Sequence, residues 1–291
     1  MRHDGVGALH RPVVFCSRVA HFSVHRSCAA LGLGETAVIP VEVDSHHRMI
    51  PEALAQAAQR HRAKAVYLIP TMHNPTTLTI DTKRREDLAA AIRRCDLLLF
   101  EDDAYGCLDP KAQPIAVLIP ERSYLAVSLS KCITPGLRVS FLLTPDRAAA
   151  AMVANAIRTV AQMPVPLMVA LVVRWLTDGS ADAIISAITV EAAARQRLAA
   201  KALSGYDYHA HPKGLHVWLA LPPAWTRAEF AAHIQRQGLA VVTSDSFGVD
   251  DHPEHAIRIA LGAARSRSDL VVALDLLTTA LRSPTYASRI V

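Results

Sequence analysis

The feature that most constrains this chain is a repeat of short apolar runs, each stopping at polar, chemically useful residues, with helical stretches between them. The runs at 13–16, 65–69, 97–100 and 124–127 have the continuous hydrophobicity of strands buried on both faces. Helical periodicity falls at 50–61, 82–94 and 146–161. That alternation predicts an α/β fold: a mostly parallel sheet with helices on both faces, joined by right-handed crossovers. Beyond Pro166 the pattern changes to long helices, with 180–203 as a bridge into a smaller α+β lobe. That lobe carries strands at 216–221, 240–243 and 256–261 and helices at 227–237 and 268–281. The expected division is a large domain over 1–180 and a small C-terminal domain over 181–291.

Ligands of open parallel sheets bind outside the carboxyl ends of the strands, so the residues that end each run matter most. The run at 124–127 leads into Ser128-Leu-Ser-Lys131, with Arg138 seven residues beyond the lysine. Small hydroxyls, an amine and a guanidinium converging on one turn suit an anion bound beside an amine-reactive carbonyl. The run at 97–100 ends in Glu101-Asp-Asp-Ala-Tyr-Gly106, and the run at 65–69 breaks at Pro70 and delivers Asn74 in His-Asn-Pro-Thr-Thr77. Each piece has a plain reading when taken alone. A lysine after two serines is commonly a solvated surface residue, acids after a strand commonly cap a turn, and Asn-Pro is a turn dipeptide. Arg258, in the alternating run 256–261, would pass for an exposed strand residue. Their order and their shared position at strand ends make the combination specific.

Together these segments resemble the fold type I pyridoxal-phosphate enzymes, namely class I/II aminotransferases and the aminotransferase-like domain of MocR/GntR-type regulators. The resemblance runs over about residues 60–280 and includes Gly214-Leu-His-Val-Trp and Ile257-Arg-Ile-Ala-Leu-Gly262. It implies pyridoxal 5'-phosphate as cofactor, held by Lys131 as a Schiff base. A lysine partly withdrawn from water and near other cations has a lowered pKa, which frees its amine for that exchange and for moving a proton. Asp102 would face the pyridine nitrogen and favour its protonated form. Asn74 and Tyr105 would bond the phenolate oxygen, while Ser128, Ser130 and Arg138 would hold the phosphate. Arg258, with Asn74 beside it, would clamp the carboxylate of an α-amino acid or a 2-oxo acid. The implied function is amino transfer between those two substrates, with Lys131, Asp102 and Tyr105 as the catalytic set. The implied assembly is a homodimer.

The N-terminal part departs from that pattern. Only residues 1–12 precede the first strand, Gly5-Val-Gly-Ala8 is too short for a phosphate-binding helix, and the family's first sheet strand is expected to be lacking. The segment 13–52, with Ala20-His-Phe-Ser23 and Leu31-Gly-Leu-Gly34, is more similar to group II pyridoxal-dependent decarboxylases, which implies that His21 stacks on the cofactor ring. Alternatively, His21 is one turn histidine among 14. Thr77 stands where the family's Asn-Pro-Thr-Gly turn has glycine, a substitution that strains or reshapes the loop if positive φ is needed there. Three other functions therefore stay open: a noncatalytic cofactor- or amino-acid-sensing effector domain, a degenerate relative, and a decarboxylase.

Composition supports this picture. The chain is 51% apolar but only 5% aromatic, as when aliphatic side chains line parallel strands. A net charge of +5 without a basic run argues against direct nucleic-acid binding. Five cysteines with no close pair suggest reduced thiols and a cytoplasmic location. No apolar stretch is long enough to span a membrane, and His46-His47 reads as a surface pair, leaving no metal site expected.

Overall fold

The computed structural model describes residues 13–33, 37–61, 63–249 and 253–282. The Gly5–Ala8 stretch and Gly34 lie outside them.

Six strands form the larger sheet: β1 (Val13–Ser17), β2 (Val38–Val41), β3 (Ala63–Leu68), β4 (Leu98–Asp102), β5 (Ser123–Ser128) and β6 (Ser140–Leu143). Their order is β2-β1-β3-β4-β5-β6, parallel throughout except for the antiparallel β5–β6 pair. Around β1 both faces are covered, as its unbroken apolar run requires. Phe15 packs on one side with Met49, Leu54, Leu88 and Ile92, whereas its neighbours Val14 and Cys16 pack on the other with Val24 and Cys28. Helix α1 (Ser23–Ala30) supplies Val24 and Cys28, α2 (Pro51–Arg60) supplies Leu54 and α3 (Thr82–Arg94) supplies Leu88 and Ile92, while Met49 lies just before α2. Pro51 opens α2 at a position where its missing N–H costs nothing, and Asp81 caps α3 by accepting from the Arg84 N–H at 2.9 Å. After β2, residues 44–48 turn on the Asp44 carboxylate, which accepts from the backbone N–H groups of His46 and Arg48.

After β6 come α4 (Arg147–Ala161), α5 (Pro166–Thr177) and the long α6 (Ser180–Ala202). The second sheet is antiparallel, in the order β7-β8-β10-β9: β7 (Tyr208–Ala210), β8 (His216–Ala220), β10 (Ala256–Ala260) and β9 (Val242–Thr243). Helices α7 (Arg227–Arg236) and α8 (Arg267–Arg282) cover it, and Leu219, Ile257, Phe230, Leu274 and Leu277 form its core. The sheets meet where the loop after β1 reaches the second lobe. There the Ala20 N–H donates to Phe247 O at 2.9 Å, and Val19 packs with Trp218 and Phe247. All four residues of β6 are exposed, including Phe141, Leu142 and Leu143, and the strand is an open sheet edge among the described residues. No helix among the described residues is long and apolar enough to cross a membrane.

Candidate functional site

The strand order reverses direction between β1 and β3, because β1 is followed by β2 on one side and by β3 on the other. Such a switch point opens a crevice at the carboxyl ends of the strands. His21 follows β1, Asn74 follows β3, Asp102 ends β4 and Lys131 follows β5, so four of the residues singled out in the sequence stand on one rim.

Alternation along β4 separates its acids by role. Glu101 points into the core, where its carboxylate accepts from the backbone N–H groups of Ile115 (3.0 Å) and Ala116 (2.7 Å). Burial nevertheless pushes its pKa up to about 7. Asp102 faces the other way. Tyr67 on β3 lies opposite Phe100, one pleat before Asp102 on the same face, and its hydroxyl donates to Asp102 Oδ2 at 2.8 Å. Asp103 turns under the following loop so closely that a Cβ on Gly106 would come within 2.0 Å of its Oδ2, which explains glycine at that position. Tyr105 is buried beside His216, with ring centroids 5.8 Å apart, and burial pushes its pKa up to about 12.

Asn74 is buried in a loop held by its own backbone and by one arginine. The His73 N–H donates to Leu78 O at 2.8 Å, and the Thr77 N–H donates to His73 O at 2.6 Å. Buried Arg85 donates to Ile80 O (2.7 Å), Pro70 O (2.8 Å), Gln113 O (2.8 Å) and Thr71 Oγ1 (3.0 Å). Thr77 adopts φ +68°, the left-handed conformation that glycine tolerates better. From the second lobe, Arg258 Nη1 donates to Asn74 Oδ1 at 2.8 Å, and its Cζ lies 5.1 Å from the Phe247 ring centre. Arg258 Nε is buried with no hydrogen-bond partner among the described residues.

Lys131 sits on the turn where Ile133 and Thr134 both donate to Leu129 O. Desolvation, then the positive charge of Arg258, lowers its pKa, while Asp102 opposes the shift. Lys131 also keeps broad contact with solvent, which tempers the lowering. The Ser128 hydroxyl accepts from the Ser130 N–H at 3.2 Å. Arg138 is exposed, has φ +52°, and makes no hydrogen bond or ion pair among the described residues. His21 is shifted down by burial, with Asp102 raising it and Arg258 and Lys131 lowering it, so the three charges of the rim all act on its ring.

Several participants were not visible from the sequence. Tyr67 looked like an ordinary strand residue, and His216 and His73 like two of many histidines. Both histidines are held neutral, with pKa values near 3, chiefly because they are buried. His216 Nε2 has no partner among the described residues. The expectation that His47 lies on the surface is corrected: it is half-buried, its Nδ1 is 2.9 Å from Glu254 Oε1, and its ring packs edge-on against His209 at 5.4 Å. No cluster of His, Cys, Asp and Glu among the described residues could hold a metal ion.

A lysine, a carboxylate, an amide–guanidinium pair and a hydroxyl-lined turn thus stand together on one rim of a mostly parallel sheet. The family described as aminotransferase class I and II matches residues 8–277, and the chain belongs to it. It is 28% identical over 242 residues to the uncharacterized HTH-type transcriptional regulator YdeF of Bacillus subtilis, covering 82% of this chain and 52% of that protein. It is 29% identical over 240 residues to the vitamin B6 salvage pathway transcriptional repressor PtsJ of Salmonella typhimurium, covering 81% of this chain and 54% of that one. The chain thus spans about half the length of the curated relatives it matches. Among solved structures, the fold is that of LysN, an α-aminoadipate aminotransferase from Thermus thermophilus complexed with N-(5'-phosphopyridoxyl)-L-leucine. The TM-score is 0.80 at 22% identity, over 93% of this chain and 70% of that one.

Proposed function

We propose that this chain binds pyridoxal phosphate covalently through Lys131 and transfers amino groups between an α-amino acid and a 2-oxo acid. The observation that carries the reading is the 2.8 Å bond from Arg258 to Asn74, which brings a cation from the second lobe onto the rim that holds Lys131 and Asp102. The residues fit the cofactor: a carboxylate for a ring nitrogen, an amine for an aldehyde, a buried amide and phenol for the ring oxygen, and hydroxyls with a free guanidinium for a phosphate. When bound, the cofactor supplies an electron sink for the bond broken at the substrate α-carbon.

The chain's own residues do the rest. Lys131 Nζ, its pKa lowered, is the base that takes and returns the proton at that carbon. Asp102, oriented by Tyr67, would hold the ring nitrogen, Asn74 and Tyr105 would bond the ring oxygen, and His21 would contact the ring. Ser128, Ser130 and Arg138 grip the phosphate, with Arg138 free to do so. Arg258 clamps the substrate carboxylate, and its partnerless Nε leaves donor capacity for that ligand. We take residues 1–180 and 181–291 as cofactor-binding and small domains. We also take the assembly to be a homodimer in the cytoplasm, in keeping with five unpaired cysteines.

A second reading is an effector domain that senses cofactor or amino acid without turnover. Its support is that YdeF and PtsJ are named as transcriptional regulators and are about twice as long as their match to this chain. One experiment separates the two: visible absorbance of the wild type and of Lys131→Ala with added pyridoxal phosphate, followed by a panel of amino acids and then 2-oxo acids. Under the enzymatic reading a band appears only with Lys131, an amino acid bleaches it and a 2-oxo acid restores it. A Lys131-dependent band that amino acids leave intact favours the effector. Equal behaviour of the two proteins refutes both.

A further inference from the structure

Strand β10, which carries Arg258 to the rim, is anchored to the larger lobe a second time, two residues before it begins. Glu254 Oε1 lies 2.9 Å from His47 Nδ1 on the turn after β2, and Glu254 Oε2 accepts from the Trp218 indole N–H at 3.2 Å. One carboxylate thus joins a side chain of each lobe. Trp218 stands directly opposite Arg258 in the register of β8 against β10. Both pack on Phe247, Trp218 edge-on with ring centroids 6.0 Å apart and Arg258 with its Cζ 5.1 Å from the ring centre. We propose that His47 and Glu254 are positioning residues: they clasp the start of β10 to the larger lobe and thereby hold Arg258 on the Asn74 rim. The clasp belongs to the protein without cofactor, and only its consequence for substrate rests on the cofactor reading above.

A side-chain contact transmits position only if both of its supports are stiff, and both are. On the larger lobe, the Asp44 carboxylate accepts from the backbone N–H groups of His46 (2.9 Å) and Arg48 (3.0 Å) and from Arg48 Nε (2.9 Å). The His47 N–H donates to Asp44 O at 2.9 Å, and Arg48 Nη1 ties the turn to Asp81, the cap of α3, at 2.9 Å. His47 itself holds φ +56°, and its ring packs edge-on against His209 of β7. On the second lobe, Arg227 of α7 donates through Nη1 to Pro253 O and Glu254 O, at 3.0 Å each. The Ser244 hydroxyl also donates to Glu254 O, and the Leu221 N–H donates to His255 O at 2.8 Å. Burial raises the Glu254 pKa, but the hydrogen bond and charge of His47 and the hydrogen bond of Trp218 outweigh it and lower the pKa, so both oxygens stay acceptors. The pair is partly exposed, and such pairs contribute little to overall stability. Its effect is therefore expected in the placement of β10 rather than in unfolding. Another contact between the lobes, from Asp109 to Lys213 Nζ (3.4 Å) and His211 Nε2 (3.6 Å), leads to the loop after β7 and not to β10, so it serves as a control.

The test follows the Asn74 side-chain amide by nitrogen-15 NMR in the full chain without cofactor, with the resonance assigned through Asn74→Asp. Arg258→Met shows where that amide resonates once its bond to the guanidinium is lost. His47→Ala removes one side of the clasp, and the near-isosteric Glu254→Gln leaves a single acceptor oxygen for two donors. Each should move the Asn74 amide toward its position in Arg258→Met. His47→Gln keeps a donor for Glu254 and should stay near the wild type, as should Asp109→Asn. An amide unmoved by both His47→Ala and Glu254→Gln, or moved as far by Asp109→Asn, would overturn the clasp. With cofactor added, each clasp variant should raise KM for the amino acid roughly fivefold with kcat little changed, and the double variant should be no worse than either single one. Additive effects on KM would also overturn it. A clasp that responds as expected in the NMR measurement, in a protein that forms no Lys131-dependent band, would sink the functional reading and leave the clasp standing.

Discussion

Replacing Thr77 with glycine should stabilise the protein, contrary to the usual effect of glycine in a loop. The threonine holds φ +68°, and a β-branched residue in the left-handed region costs about 1–2 kcal/mol relative to glycine. Its Oγ1 is buried without a hydrogen-bond partner among the described residues, a desolvation cost of about 1–3 kcal/mol that the substitution removes. Two terms oppose the gain: the greater freedom of glycine in the unfolded chain, about 0.4–1 kcal/mol, and the lost burial of one methyl group, about 0.8 kcal/mol. The balance is a gain centred near about 2 kcal/mol, equivalent to an upward shift in Tm of roughly 3–6 °C for a chain of this size. Differential scanning calorimetry of the wild type, Thr77→Gly and Thr77→Ala checks it. The alanine variant sheds the hydroxyl but keeps the Cβ strain, so it should fall between the other two. A Tm for Thr77→Gly equal to or below that of the wild type would refute the strain argument.

Two further perturbations follow from buried groups. The folded pKa of Glu101 lies above its unfolded value, so the folded protein keeps a proton that the unfolded chain releases, and stability falls as pH rises from about 4.5 to about 7. That fall amounts to about 3 kcal/mol at most, and Glu101→Gln should remove it; urea midpoints at pH 5, 6 and 7 that keep the same pH slope in the variant would contradict it. Arg85→Met strips the guanidinium that serves three carbonyls and a hydroxyl under the Asn74 loop, and should cost on the order of 3–5 kcal/mol. Hydrogen exchange confined to residues 70–80 should quicken with it, and unchanged exchange there would count against the staple.

Much of the architecture was legible because β1, β3, β4 and β5 each announce themselves twice, by a continuous apolar run and by the polar residues that follow it. The helices at 51–60 and 82–94 fall within a residue of their expected limits because Pro51 and Asp81 mark their starts chemically. Strand β6 escaped notice because Ser140-Phe-Leu-Leu143 is exposed throughout and has no alternation to read. The three-residue β7 is too short to carry a period. Tyr67 was hidden for a different reason: its hydroxyl meets Asp102 only through the register of β3 against β4, which no local pattern encodes. Burial likewise decides that His216 and His73 are neutral, and burial of a single histidine is a property of the assembled lobes rather than of its neighbours in the chain. Within the run Glu101-Asp-Asp the family resemblance singled out Asp102, but strand alternation in the folded sheet was needed to send Glu101 to the core and Asp102 to the rim.

The central claim is that Lys131 is the residue that holds the cofactor. Incubating the protein with pyridoxal phosphate, reducing with sodium borohydride and mapping peptides by mass spectrometry tests it directly. The account predicts a phosphopyridoxyl group on Lys131 at near-stoichiometric yield, with no comparable label elsewhere and none at any site in Lys131→Ala. Label spread over surface lysines, or an equally labelled Lys131→Ala protein, would contradict it.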